Sequence, residues 1–170
     1  MTLKEIHKKL EGIVGDYTFN LSNMEVVCKI AKILPEGATV IEIGTFWGRS
    51  ACVWALATGG IVYTIDIEDR LKIINDNIKK MGLEKQVIPL VGNSSKMLWE
   101  KRVDCVFIDG NHSYEDTMRD IKKWMPFAKT VICGHDYNDN FPTVKKAVDD
   151  FFGKLNSPLI EDNEIWVVKK

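Results

Sequence analysis

Five short runs rich in β-branched residues recur along the chain: TVIEIG (39–44), IVYTID (61–66), QVIPLV (86–91), VDCVFID (103–109) and TVIC (130–133). Each is separated from the next by a segment of helical length. Continuous apolar runs imply strands covered on both faces, and their alternation with helices implies a parallel sheet joined by right-handed crossovers. The fold class expected is therefore α/β.

The segments between the runs carry their own helical signals. Leu71, Ile74, Ile78 and Met81 form one stripe closed by Gly82. Ser113 with Asp116 has the form of a capping box, and Ile121, Trp124 and Met125 continue that helix to Pro126. Pro142 suits a first helical turn, with Val144, Ala147, Val148, Phe151 and Phe152 at helical spacing behind it. Upstream, Thr2 and Glu5 form a capping box before Leu3, Ile6 and Leu10, with Gly12 as a stop. A second helix begins near Ser22, repeats through Val26, Val27, Ile30, Ile33 and Leu34, and stops at Pro35 and Gly37. The end of the chain differs. Pro158–Ile160 and Glu164–Val168 are strand-like and only three residues apart, the length of a hairpin, so the last strand should run antiparallel. Residues 1–170 read as one domain, with 1–37 as a helical layer on one side of the sheet.

A chain of 170 residues, 45% hydrophobic and 28% charged, can bury a core without metals or disulfides as staples. Its net charge of -1 gives no reason to expect nucleic acid or an anionic membrane as partner. Cys28, Cys52, Cys105 and Cys133 lie singly within apolar runs, as buried reduced thiols would. No apolar stretch has the length of a signal peptide or a membrane span, so a cytoplasmic location is expected.

The turn after the first run, Glu42-Ile-Gly-Thr-Phe-Trp-Gly-Arg-Ser50, occupies the place where open α/β sheets bind ligands. A dinucleotide fingerprint would need glycine at 42, 44 and 47, and this chain has Glu42, Gly44 and Trp47. A carboxylate would repel a pyrophosphate, and an indole is too large for the close-packing position. S-adenosylmethionine, with a sulfonium and an ammonium, is suited by an acidic turn, and Gly44 and Gly48 leave room for its methionine portion. Asp66, ending the second run, has the chemistry to accept two ribose hydroxyls or to cap the helix after it. After the third run, Gly92 permits close approach, and Asn93 or Ser94 could meet the adenine edge or cap a helix.

Titratable groups concentrate after the fourth and fifth runs: Asp109, His112, His135 and Asp136. Asp136, His135 and His112 are the candidate catalytic groups. Asn111-His112-Ser113 also reads as a plain turn and cap, and Arg49 either neutralises a cofactor carboxylate or decorates a helix start. His7 reads as surface. Trp47, Trp54, Trp99, Trp124 and Trp166 read as core or interface.

From about Thr39 to about Phe152 the chain resembles class I S-adenosylmethionine-dependent methyltransferases of the small-molecule O-methyltransferase type, in the methyltransferase domain 24 branch. VIEIGTFWGRSA is similar to that superfamily's first motif, YTID to its second and VGNS to its third. IDGNHSYE and GHDY match its fourth and fifth regions more specifically. The resemblance implies a three-layer Rossmann-like fold with a mostly parallel seven-stranded sheet, order 3-2-1-4-5-7-6, strand 7 antiparallel. It also implies a cofactor pocket lined by Glu42, Gly44, Thr45, Phe46, Ser50, Asp66, Ile67, Asn93, Ser94 and Asp109. Catechol-type relatives hold Mg2+ with an Asp ending strand 4 and an Asp-Asn pair ending strand 5. Asp109 and Asp136 match the two Asp ligands, but Tyr137 replaces Asn, so His135, His112 or Asn138 completes the site or no metal is used.

The expected function is thus methylation of a hydroxyl on a small molecule or saccharide acceptor. Two alternatives stand beside it: a non-catalytic S-adenosylmethionine or S-adenosylhomocysteine-binding subunit, and a nicotinamide-dependent oxidoreductase. Little chain remains for a lid beyond the N-terminal helices and the loop from Asp136 to Phe141, so a homodimer would complete the pocket.

Overall fold

A computed structural model describes residues 2–11, 19–153 and 164–170. The strands are β1 (Val40–Ile43), β2 (Val62–Asp66), β3 (Val87–Val91), β4 (Val103–Ile108), β5 (Ala128–Gly134) and β6 (Trp166–Lys169). The helices are α1 (Leu3–Lys9), α2 (Leu21–Ala31), α3 (Arg49–Thr58), α4 (Leu71–Met81), α5 (Tyr114–Trp124) and α6 (Pro142–Phe152). Among the described residues the sheet has six strands in the order β3-β2-β1-β4-β5-β6. β1 to β5 are parallel neighbours, and β6 runs antiparallel to β5 with Cys133 opposite Val167. This is the expected Rossmann-like order with its antiparallel last strand. The further strand expected at 158–160, the turn at 161–163 and the stop at Gly12 lie outside the described residues.

Both faces of the sheet are buried, as the continuous apolar runs require. On one face, Val40, Val62, Cys105, Phe107 and Cys133 pack beneath α1 to α4, with Trp54 of α3 fully buried. On the other, Ile41, Ile43, Val106, Ile108 and Ile132 meet Ile121 and Trp124 of α5 and Val144 and Val148 of α6. The result is three layers, with α1 and α2 packed beside α3 on the first face.

Helix ends follow local chemistry. Thr2 and Glu5 make the full capping box of α1, and Gly82 closes α4 in the left-handed conformation. Asn20 caps α2, which begins at Leu21, by accepting from the Asn23 N–H at 3.0 Å. At α5 the box is only half formed: Ser113 accepts from the Asp116 N–H, but the Asp116 carboxylate returns to the Ser113 hydroxyl, because the Ser113 N–H is taken by Asn111. All four cysteines are free; Cys52, Cys105 and Cys133 are buried and Cys28 is half-buried. No helix among the described residues is long and apolar enough to cross a membrane.

Candidate active site

The carboxyl ends of β1 to β5 open into one cleft of about 750 Å³, within the usual size of a small-molecule site. Gly44 makes the cleft possible. Its φ is +93°, and a Cβ there would stand 1.8 Å from the carbonyl oxygen of Asp109, so only glycine lets the tips of β1 and β4 close together.

Asp66 straps the turn that follows β1. Its Oδ2 accepts from the N–H groups of Thr45 at 3.0 Å and Phe46 at 2.8 Å, and its Oδ1 accepts from the Glu68 N–H at 2.9 Å. Arg70 adds an ion pair at 3.6 Å and lies over the Phe46 ring, which itself stacks on Trp47. Asp66 is therefore both a turn-former and a wall of the cleft, with one lone pair left on Oδ1 for a further donor.

Of the residues expected at the cofactor, Gly44, Phe46, Asp66 and Ile67 line the cleft, and so do Gly92, Asn93, Ser94 and Asp109. Four do not. Glu42 is fully buried within β1, paired across the sheet with Thr64, whose hydroxyl donates to it at 2.5 Å. It shares the face of Val40, under α3, two residues short of the turn, and strand alternation turns it away from the cleft. Thr45 is buried with its hydroxyl 2.7 Å from that of Thr64, Gly48 caps α3 at φ +81°, and Ser50 is buried in the first turn of α3. These four support the wall from behind. Arg49 also faces elsewhere, donating from Nε to the carbonyl of Phe19 at 3.2 Å.

The three candidate catalytic groups do converge. β5 ends at Gly134, and Asp136 then takes φ +62°, a turn that Asp tolerates better than most residues. Its carboxylate lies between two imidazoles, with Oδ2 2.8 Å from His112 Nε2 and Oδ1 3.0 Å from His135 Nδ1. Burial opposes charge on Asp136, but the two histidines outweigh it and hold its carboxyl far below the usual range. The hydrogen bond to Asp136 pushes His112 up. Burial works against protonation of His135, yet Asp136, Asp109 and Glu164 together raise it. The turn-and-cap reading of 111–113 holds as well: Asn111 closes the turn, Ser113 caps α5, and His112 projects between them against Phe141. His7 is exposed. Trp54, Trp124 and Trp166 are core.

Sequence patterns did not single out several residues that shape this site. Asn23 of α2 is buried and its amide meets His135 Nε2, with Glu164 Oε2 3.4 Å from the same nitrogen. Asp120 of α5, 5% exposed, lines the cleft and accepts from the Ser94 hydroxyl at 2.6 Å. Burial raises its carboxyl, a shift the Ser94 bond partly opposes.

The cleft is rich in carboxylates: Asp66, Asp109, Asp116, Asp120, Asp136 and Glu164, facing Arg70 and Arg119. That balance suits a sulfonium and an ammonium and disfavours a pyrophosphate. The Mg2+ reading fares differently. Ligand atoms of Asp109, His112 and Asp136 lie within 4.8 Å of one another, but one donor is an imidazole and both oxygens of Asp136 already face histidines. Tyr137 points its hydroxyl to Asp149 at 2.6 Å. The set does not fit the oxygen shell that Mg2+ prefers.

Comparison with known proteins agrees with the fold. An O-methyltransferase from Bacillus cereus, solved with S-adenosylhomocysteine, superposes with a TM-score of 0.64 at 19% identity over 88% of this chain and 76% of that one. A SAM-dependent O-methyltransferase from Thermotoga maritima gives 0.65 at 21% identity, over 87% of this chain and 55% of that one. A family model described as a methyltransferase domain matches residues 41–137, from β1 through the Asp136 turn. The chain belongs to this methyltransferase domain family, methyltransferase domain 24, and is a class I S-adenosylmethionine-dependent methyltransferase.

Proposed function

We propose that the enzyme methylates a hydroxyl of a small molecule or saccharide, with His112 as the base and Asp136 as the group that orients and stabilises it. The observation that carries this reading is the 2.8 Å contact between His112 Nε2 and Asp136 Oδ2 at the wall of the cleft. With Nε2–H directed to the carboxylate, the lone pair of the neutral imidazole lies on Nδ1, which accepts the acceptor's hydroxyl proton. Asp136 then holds the imidazolium in place. His135, behind Asp136 and buried, fixes the other carboxylate oxygen.

Bound S-adenosylmethionine supplies a methyl group on a cationic sulfur. The chain's own work is alignment and exclusion of water. Asp66 and the turn it straps place the nucleoside, Gly44 gives the methionine portion its approach, and the carboxylates of Asp66, Asp109 and Asp136 favour the positive charge. The proposed route uses no Mg2+, in keeping with the donor chemistry at Asp109, His112 and Asp136. The acceptor enters from the side of Asn20, His112 and Phe141, where α2 and the loop from Asp136 to Phe141 border the cleft. A homodimer and a cytoplasmic setting accord with this reading and are part of the proposal.

Calorimetric titration with S-adenosylhomocysteine, followed by an acceptor screen that reads its release from S-adenosylmethionine, tests the function. Binding with turnover on a hydroxyl acceptor, lost in His112→Ala with affinity retained, supports it. Binding with no effect of either His112→Ala or Asp136→Asn on any measured property would favour a non-catalytic binding subunit. Affinity for a nicotinamide dinucleotide in its place would overturn the assignment.

A further inference from the structure

Asp120 is a buried carboxylate that the proposed methyl transfer does not use. It lies on α5, 5% exposed, and among the described residues its hydrogen-bond partner is the Ser94 hydroxyl, 2.6 Å from Oδ1. The nearest cation in sequence, Arg119, is paired with Asp116 one turn earlier. Asp120 and Gly110 both line the cleft, and Oδ2 lies on the Gly110 side, where a Cβ would stand 3.5 Å from that oxygen and 3.3 Å from Ile43. The missing side chain at Gly110 therefore opens the space that Oδ2 overlooks. A buried carboxylate with one neutral donor is poorly compensated, and such groups ordinarily gather further donors.

The surroundings say what kind of donor fits. Successive strand tips, Gly44 after β1, Asp66 ending β2 and Gly92 to Ser94 after β3, form one side of the cleft, so a nucleoside whose ribose meets Asp66 carries its base towards Ser94. Ile67, 69% exposed, and Ile43 supply apolar surface there that a flat ring would cover. A base carrying an exocyclic amine would meet Oδ2, whereas a carbonyl at that position would be repelled.

We infer that Asp120 is the residue that reads the base of the bound nucleoside, with Oδ2 accepting a hydrogen bond from the 6-amino group of adenine. The inference rests on the cofactor assignment made above and adds a specificity determinant to it. Ser94 positions the carboxylate by holding Oδ1, which leaves Oδ2 to the base. Burial raises the Asp120 carboxyl, as expected of a group whose compensating donor arrives with the ligand.

The test compares S-adenosylhomocysteine with its analogue bearing hydrogen in place of the 6-amino group, by calorimetry on the full chain. The wild type should bind the analogue about 10- to 100-fold more weakly, the range of one charge-assisted hydrogen bond. Asp120→Ala should bring S-adenosylhomocysteine down to the analogue's affinity and leave the analogue unchanged. Ser94→Ala, which keeps the carboxylate, should retain most of the discrimination. If Asp120→Ala does not fold, Asp120→Asn, similar in shape, should still show reduced discrimination. Equal affinity of the wild type for both ligands, or discrimination untouched by Asp120→Asn and Asp120→Ala, overturns the inference while leaving the cofactor assignment standing. Failure of the wild type to bind either ligand overturns both.

Discussion

His112 Nε2 and Asp136 Oδ2 lie 2.8 Å apart, joining the exit of β4 to the exit of β5 across the mouth of the cleft. Asp136→Asn should abolish this charge-assisted contact with little backbone cost, because Asn also accepts the left-handed conformation that Asp136 adopts. Turnover should fall by about 100-fold or more, with S-adenosylhomocysteine affinity retained. His112 would also lose the carboxylate that raises it, so the acidic limb of the rate profile should move to lower pH. Steady-state rates against pH, paired with calorimetry, check both parts.

The same cluster gives the fold a pH signature. Asp136 is depressed in the folded chain, so its contribution is present above the ordinary carboxylate value of 3.8 and is lost as pH falls through the folded value. His112 and His135 are raised, so theirs are complete below 6.5 and are lost as pH rises through the folded values. The contributions overlap in the mildly acidic range. The melting temperature of Asp136→Asn should lie furthest below that of the wild type at about pH 5 to 6 and approach it towards pH 9, by differential scanning calorimetry across that range.

Gly44→Ala should be severe. The new Cβ would sit 1.8 Å from the Asp109 carbonyl oxygen, a backbone atom that cannot move without separating β1 from β4, and φ +93° is unfavourable for any side chain. A loss of about 3 kcal/mol or more is expected in urea unfolding, together with loss of cofactor binding.

The sheet was legible because its apolar runs are continuous and its helices carry stripes and caps, so the pattern changes at each boundary. Glu42 shows where that legibility ends. Local sequence placed it near the turn, but which face of β1 it occupies depends on pairing with Thr64 and on packing under α3, neither of which is written in the segment itself. Asp66, Asp109 and Asp136 supply the negative charge that lines the cleft, and Glu42 does not line it. Asn23 and Glu164 reach His135 from elements distant in sequence, and no local pattern could have announced them. Asp120 did leave a trace. It lies with Thr117, Ile121 and Trp124 on the buried side of α5, and a carboxylate in an apolar stripe is a signal that a ligand or partner stands opposite.

Thiol chemistry separates the cysteines. Burial pushes Cys52 up to about 12, raises Cys133 well above its ordinary value and raises the half-buried Cys28 as well. Cys105 and Cys133 lie 3.7 Å apart between β4 and β5 as free thiols. Because a reagent must reach the sulfur, labelling at pH 8 should modify the half-buried Cys28 first, and the buried Cys52, Cys105 and Cys133 only on unfolding, as read by mass spectrometry of labelled peptides.

Magnesium should be dispensable. To take Asp136 as a ligand, the ion would have to displace His112 from Oδ2 or His135 from Oδ1, exchanging a charge-assisted contact for a ligand set that still includes an imidazole. Tyr137, at the position where an amide ligand would complete an oxygen shell, gives its hydroxyl to Asp149 of α6 and is packed with the apolar side chains of that layer. Chelation should therefore leave both S-adenosylhomocysteine affinity and turnover unchanged, and added Mg2+ should not raise either. Tyr137→Asn is the sharper arm of the experiment. If the missing amide alone excludes the ion, this substitution should create a Mg2+-dependent increase in rate; if His112 and His135 hold Asp136 as described, the rate should remain indifferent to Mg2+ in both forms.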